Sequence, residues 1–509
     1  MCKPRYFFFL LFTFFTASTA AYTDVPELPD GPVSPFVKPL IKAINSGDSE
    51  QVIAFIEQHF TTEYRDRYPI SAHVKGFMNA HENLGELSFH AVRVFDGRPM
   101  PENSMAVVLK TAKQNIWFGA IIEVTEIEAT EVEVTAIAES EEAHYKIAQL
   151  NLVPARQPSN VPLSKVISSE QAMIELETYV ALLTNMEFFS GTVMLAKQDK
   201  VLYQSAKGLA SKRFNVPNNM QTKFNIGSMN KMFTAVATLQ LVQEGKLSLD
   251  DKLNKFIDES WLSETVSKKI TIRHLLTHSS GLGSYFGKTY RESSKNNFRT
   301  LADYQPLIDQ NEVFFEPGTD NRYSNTGMLL LGVVIEAVSG QDYFSYIREN
   351  IYNVADMKNS GSFELDQPVP NLAIGYHRDP SAQTGWRNNY YSHILKGSPA
   401  GGGFSTTDDM HKFALALTRY ELLNKSLTEA ALSAKPDLHS PRYGYGFGIR
   451  GTEDSPIVGH EGGFRGLNAN LDIYLDQGYI SVVLSNYSGG AWRVFEKIRE
   501  LLARVDDAS

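Results

Sequence analysis

Two rhythms of apolar residues divide the chain into elements. Between residues 32 and 60, Phe36, Val37, Leu40, Ile41 and Ile44 recur at helical spacing, and Gly47 ends the run. Asp48 then stands where a helix cap belongs, with Gln51 three residues on and Val52, Ile53, Phe55 and Ile56 behind it. Strand-like stretches follow. Ser88–Phe95, Ala106–Thr111, Trp117–Val124 and Ile127–Thr135 are β-rich, and the last alternates as a half-exposed antiparallel strand does. Helices followed by a strand meander predict a small α+β domain over residues 24–150. The acidic run from Glu123 to Glu142 reads as a solvated sheet face.

Residues 151–164 carry Pro154, Pro158 and Pro162 among polar residues, the composition of a linker. A second region, 165–509, follows. Gly191–Ala196 and Val201–Ser205 make a strand pair around the turn Gln198-Asp199-Lys200. Long helical patterns fill the middle. Strand signals return at Gly446–Arg450, Pro456–Gly459, Asn468–Tyr474 and Tyr479–Ser485, and Trp492–Val505 is a final amphipathic helix. Early and late strands around a helical middle predict one sheet built from both ends of the region, with an inserted helical subdomain. No internal repeat is evident.

Composition narrows the function. A chain of 509 residues exceeds one ordinary core and implies two to four domains. With 43% hydrophobic and 21% charged residues it is a folded, soluble type. A net charge of −10 argues against nucleic acid or an anionic membrane as partner. Cys2 is the only cysteine, which excludes an intramolecular disulfide and a Cys-ligated zinc or iron–sulfur site. The first 20 residues read as a secretory signal peptide: Lys3 and Arg5, the apolar run Tyr6–Phe15, then the small residues Ala17-Ser18-Thr19-Ala20. An uncleaved anchor is the alternative, but the run is short of the roughly 20 residues a membrane span needs. Cleavage near Ala21 would remove the cysteine and leave no stable membrane span. A periplasmic or secreted location is expected.

The chemistry centres on Ser228-Met229-Asn230-Lys231, an S-x-x-K that opens a predicted helix continued by Met232, Phe233, Ala235, Val236 and Leu239. Positions i and i+3 share a helix face, so a lysine amine can meet the serine hydroxyl. A free serine is a poor nucleophile and needs such a base, and the helix N-terminus favours developing negative charge. Further on come Glu316-Pro317-Gly318-Thr319 and then Tyr323-Ser324-Asn325. A tyrosine near a lysine can relay protons, and the asparagine can bond a substrate amide and the lysine. Later, Gly459-His460-Glu461-Gly462-Gly463 sits before a strand.

Serine and lysine, Y-x-N, and a basic-x-Gly triplet, in that order, resemble the pattern of serine β-lactamases and penicillin-binding proteins. The likeness is to the class C-like branch with its DD-carboxypeptidases, D-aminopeptidases and esterases. ITIRHLLTHSSGL at Ile270–Leu282, EPGT at Glu316–Thr319 and SPAGGGFSTTD at Ser398–Asp408 add to it, and it covers about residues 165–509. It implies an α/β (α+β) fold: an antiparallel sheet flanked by helices, plus an all-helical lobe, with the site between them. It further implies that Ser228 is the acylated nucleophile, that Lys231 helps deprotonate it and that Tyr323 is the general base. Asn325 would contact the substrate amide, while His460 and Gly462 match the K-T-G triplet. The N–H groups of Ser228 and Gly463 would form the oxyanion hole. No cofactor is implied. The first domain, by element order alone, resembles the NTF2-like domains sometimes fused ahead of hydrolases.

This chain departs from the pattern at the triplet. Histidine titrates near pH 6.5 where lysine is permanently charged, and Glu461 adds a negative charge. A substrate carboxylate would be held less firmly unless Arg465, Arg450 or Arg387 supplied the cation. His274 and His278 stand at i,i+4, but position 275 is leucine, so H-E-x-x-H is absent and a hydrogen-bonding role is expected. Ser279 and Ser280 read as a helix-ending turn. Gly401-Gly402-Gly403 reads as a tight loop near the site, with Ser405 and Asp408 as an S-x-x-D cap. The expectation is an exported serine hydrolase acting through a Ser228 acyl-enzyme on an ester or D-amino-acid peptide. A class C-like β-lactamase is the enzyme alternative, and a non-catalytic peptidoglycan- or penicillin-binding protein the alternative of another class.

Overall fold

Alternating burial makes strands, and strands need partners. The computed structural model describes residues 22–97, 99–113, 115–127, 145–162, 166–309 and 313–505. The signal-like segment, the expected strand beyond residue 127 and most of the acidic run lie outside them. The chain divides into two compact units: the residues before Val166 with Pro380–Gly385, and Val166–Asp379 with the residues from Trp386 on.

In the first unit five antiparallel strands lie side by side in chain order: Tyr22–Val25, Leu87–Phe95, Ser104–Thr111, Trp117–Glu126 and Tyr145–Ala155. Helices Ser34–Ser46, Ser49–His59 and Ile70–Leu84 pack on one another, burying Leu40, Ile44, Val52, Ile56, Phe77 and Leu84. Asp48 caps the second helix, accepting from Glu50 N–H at 2.9 Å and from Gln51 Nε2 at 3.1 Å. Ile70–Leu84 was not legible in the apolar pattern, because its buried face includes Ala80 and is interrupted by polar residues. Tyr145–Ala155 runs five residues into the stretch read as linker, with Pro154 opposite Phe118. The strand is a sheet edge, where a proline's missing N–H is tolerated.

The second unit holds a six-stranded antiparallel sheet. Its order is Gly448–Gly451, Pro456–Phe464, Leu467–Tyr474, Tyr479–Ser485, Gly191–Lys197, Lys200–Lys207. Tyr479–Ser485 pairs with Gly191–Lys197 from Tyr479↔Lys197 to Ser485↔Gly191, so late and early strands join as the sequence predicts. Every residue of Tyr479–Ser485 is buried, which means both sheet faces are covered. Helices Ser169–Asn185, Thr407–Thr418 and Trp492–Leu502 do the covering. Between the early and late strands in sequence comes the helical part, centred on Asn230–Gln243 packed against Asn325–Ser339. The first of these is buried nearly all round, as a helix in the middle of a core must be, and its buried residues include Lys231. Among the described residues no helix is long and apolar enough to cross a membrane.

Two local readings change. Pro456–Phe464 continues five residues past Gly459, so His460–Gly463 lies inside a strand rather than before one. The cap of helix Thr407–Thr418 is Thr406, whose Oγ1 accepts from Asp409 N–H at 3.2 Å; Ser405 instead bonds Ser360. The two S/T-x-x-D pairs are offset by one residue, and only tertiary contacts separate them.

Candidate active site

Ser228 is delivered by the buried strand Phe224–Gly227, which pairs with Gly403–Ser405. The helix proper starts at Asn230, so Ser228 occupies the turn ahead of it; Lys231 N–H donates to the Ser228 carbonyl at 3.0 Å. Gly227 has φ 52°, and a Cβ there would lie 2.9 Å from Leu467 Cδ1 and 3.1 Å from Gly463 N. Only glycine fits that conformation and that gap. Asn225 pins the turn: its Oδ1 accepts from Gly227 N–H at 2.9 Å, and its Nδ2 donates to the Gly402 carbonyl at 3.0 Å. Gly401-Gly402-Gly403 is thus a tight loop against the serine, as the sequence suggests.

Lys231 is wholly buried, and its Nζ has three neighbours. Ser228 Oγ lies at 3.1 Å, Asn325 Oδ1 at 2.9 Å, and the Ala400 carbonyl completes the set. Burial pushes the amine well below the usual lysine range. A neutral amine has two N–H groups and one lone pair. Asn325 Oδ1 and the Ala400 carbonyl can only accept, so they take the two hydrogens. In that neutral form the lone pair faces the Ser228 hydroxyl.

Tyr323-Ser324-Asn325 enters from the start of helix Asn325–Ser339, capped by Ser324, whose Oγ accepts from Gly327 N–H at 2.8 Å. The Tyr323 ring lies over Lys231 Nζ, 4.7 Å from the ring centre. Tyr323 is 44% exposed over its whole surface, so the burial that matters is that of its hydroxyl end. That burial raises the phenol above its ordinary range, with Ser228 hydrogen bonding in the opposite sense. The phenol is therefore protonated at neutral pH. Asn325 Nδ2 donates to Ser284 Oγ at 3.0 Å.

His460 carries no charge. Its Nδ1 contacts the Glu461 carbonyl, and its Nε2 lies 3.0 Å from Tyr443 Oη. Glu461 is engaged by Arg450 and, at 3.9 Å, by Arg499, while burial holds its carboxyl above the usual range. Gly462 lies against the serine's strand: a Cβ there would stand 1.9 Å from the Ile226 carbonyl oxygen. Gly448–Gly451 pairs only as far as Gly459, so His460–Phe464 keeps one edge without a strand partner among the described residues. Of the three candidate cations, Arg450 is bound to Glu461 and Arg387 to Asp379. Arg465 is exposed in the turn after Phe464.

The seven residues singled out by sequence, Ser228, Lys231, Tyr323, Asn325, His460, Gly462 and Gly463, gather at one place. Three others were missed, Asn225, Ser284 and Tyr443, while His278 has the hydrogen-bonding role its sequence position led one to expect. The rings of Tyr323 and Tyr443 flank His278 at 4.5 and 4.7 Å. Its motif position drew notice, but its partners lie 45 or more residues away. His274 and His278 share no helix face, because the helix Ile272–Leu276 ends between them and His278 has φ 63°. His274 closes a capping box with Thr271. Among the described residues no group of three His, Cys, Asp or Glu could hold a metal.

The family description Beta-lactamase matches residues 181–505. Penicillin-binding protein 4* of Bacillus subtilis is 29% identical over 325 residues, which is 61% of this chain and 71% of that protein. The chain spans less than two thirds of further curated relatives, 62% and 59% of their lengths. Among solved structures, a penicillin binding protein from Bacillus halodurans is 32% identical at a TM-score of 0.57, over 65% of this chain and 98% of that one. D-amino acid amidase from Ochrobactrum anthropi shares the fold: 21% identity, TM-score 0.55, 67% of this chain and 99% of that one.

Proposed function

Since the chain belongs to the beta-lactamase family and is a serine hydrolase of that kind, we propose that it cleaves an ester or D-amino-acid peptide through a Ser228 acyl-enzyme. Ser228 Oγ attacks the carbonyl carbon while its proton passes to the Lys231 lone pair. The resulting oxyanion is held by the Ser228 and Gly463 N–H groups, each such donor being worth a few kcal/mol in a transition state. Tyr323, a neutral phenol beside both Ser228 and Lys231, returns a proton to the leaving oxygen or nitrogen as the bond to it breaks. Water then enters, gives its proton back through the same pair, and frees the acid. Asn325 holds Lys231 and can offer its second amide hydrogen to the substrate.

The observation that carries this reading is the Lys231 amine, 3.1 Å from Ser228 Oγ with its two hydrogens spoken for. The neutral His460 steers the choice of substrate. Without a charge at that position a substrate carboxylate has no buried cation to meet, which favours an ester or D-amino-acid substrate over a β-lactam. The signal-like N-terminus supports export to the periplasm or beyond.

The test is a panel of nitrocefin, short-chain p-nitrophenyl esters and D-amino-acid peptides and amides, run with wild type and Ser228→Ala. Ester or D-amide turnover lost in the variant supports the reading. Efficient nitrocefin turnover would replace it with a β-lactamase. Labelling by a fluorescent phosphonate without any turnover would point to a binding protein.

A further inference from the structure

We propose that Phe286 and Phe464 form a subsite for an apolar, aromatic acyl group, which makes arylacyl esters and amides the favoured substrates. This rests on the acyl-enzyme reading above and names the substrate for that same site.

The two ends of the cleft differ in chemistry. At one end the Tyr323 ring lies 4.5 Å from His278 and 6.2 Å from His460; this is where a leaving group takes its proton. At the other end Asn325 Nδ2 donates to Ser284 Oγ at 3.0 Å, and Phe286 N–H donates to the same oxygen at 3.4 Å. The Phe286 ring stacks on Phe464, with centres 5.9 Å apart and planes at 28°. Phe464 stands four strand steps beyond His460, about 13 Å of extended chain. A carbonyl held between Ser228 and Gly463 therefore sends its leaving group toward Tyr323 and its acyl substituent toward the two phenylalanines.

These rings are held for a partner. Phe464 is 37% exposed, yet His393 supports it edge-on at 5.9 Å and 87°. Phe286 is packed by Tyr285 at 4.6 Å and Tyr290 at 4.7 Å. A ring fixed on one side and open on the other stacks a second aromatic group with little ordering left to do. One strand end and one loop, far apart in sequence, meet to make the wall. The competing occupant is an anionic acyl group drawn by Arg465, next in chain to Phe464.

Matched p-nitrophenyl esters separate the two: acetate, phenylacetate and monosuccinate, each normalised to its uncatalysed hydrolysis. We expect kcat/KM for phenylacetate to exceed that for acetate at least tenfold, and the ratio to fall at least tenfold in Phe464→Ala. Phe464→Leu should fall between, since it keeps bulk and loses the ring. Phe286→Ala should act likewise, with its melting curve checked because that ring is half-buried. Ser228-dependent turnover with no acyl preference, a ratio that survives both alanines, or a succinyl preference lost in Arg465→Ala would overturn the subsite alone. Absence of any Ser228-dependent turnover or phosphonate labelling would remove the acyl-enzyme reading, and the subsite with it.

Discussion

Ser324 N–H donates to His278 Nδ1 at 3.2 Å, and through that bond one buried imidazole fixes the backbone between Tyr323 and Asn325. The ring is 2% exposed and sits between Tyr323 and Tyr443, while its Nε2 has no partner among the described residues. Burial keeps it neutral. His278→Ala leaves the Ser324 N–H unpaired, at a cost of about 1–3 kcal/mol in urea unfolding. If His278 positions Tyr323, kcat falls with little change in KM, and His278→Asn recovers part of it. Lost stability with unchanged kcat would reject the positioning role.

Lys231→Arg should abolish turnover rather than reduce it modestly. A guanidinium stays protonated throughout the working range and has no lone pair for the Ser228 proton. The expected loss is on the order of 10²–10⁴ in kcat, the usual range for a positioned base. Burst kinetics on an activated ester measure it at the acylation step, and an undiminished burst would sink the base assignment.

Tyr323→Phe keeps the ring over Lys231 and removes only the hydroxyl. We expect turnover to drop by on the order of 10²–10⁴ for an amide, whose leaving nitrogen must be protonated. For a p-nitrophenyl ester the drop should be smaller, because that leaving group departs as the anion. Equal losses on both substrates would argue against proton delivery to the leaving group.

His460 makes stability depend on acid. In the unfolded chain it takes up a proton near pH 6.5, while in the fold it resists protonation down to about 3. Between those values the unfolded state binds more protons. Stability is therefore fully present above about pH 6.5 and is lost as pH falls toward 3, at up to about 1.4 kcal/mol per pH unit from this group. The buried His278 and His393 are lowered in the same sense and add to the slope. Urea midpoints measured from pH 7 to 4 should show it, and His460→Gln should flatten the curve.

Gly462→Ala places a methyl group 1.9 Å from the Ile226 carbonyl oxygen, so the two strands must part. A cost of about 1–3 kcal/mol is expected for such overpacking. Gly463→Ala, one position on, meets only Asn468 Nδ2 at 4.0 Å and should melt with wild type. Equal melting of the two variants would contradict the close approach.

Much of the fold could be read from local chemistry. The Asp48 cap and the hairpin at Gln198 are set by residues a few positions apart, and both stand as the sequence predicts. The strand Tyr479–Ser485 is apolar or small at every position because both its faces are covered. The strand to Ala155 was hidden by Pro154, a residue that only an edge position excuses. The triplet's strand was hidden by Gly462 and Gly463, which weaken the β signal where another backbone has to pass.

By itself the sequence determined the order of the second unit's sheet strands along the chain, the family and the residue types that meet around Ser228, because spacing along a strand or helix turn is a local property. Tertiary structure alone decided their charge states and second partners. Lys231 is held well below the usual lysine range and His460 is neutral because residues far away in the chain exclude water from them, and Glu461 is balanced because Arg450 lies on the adjoining strand. Desolvation depends on what surrounds a group in space, and no local pattern carries it.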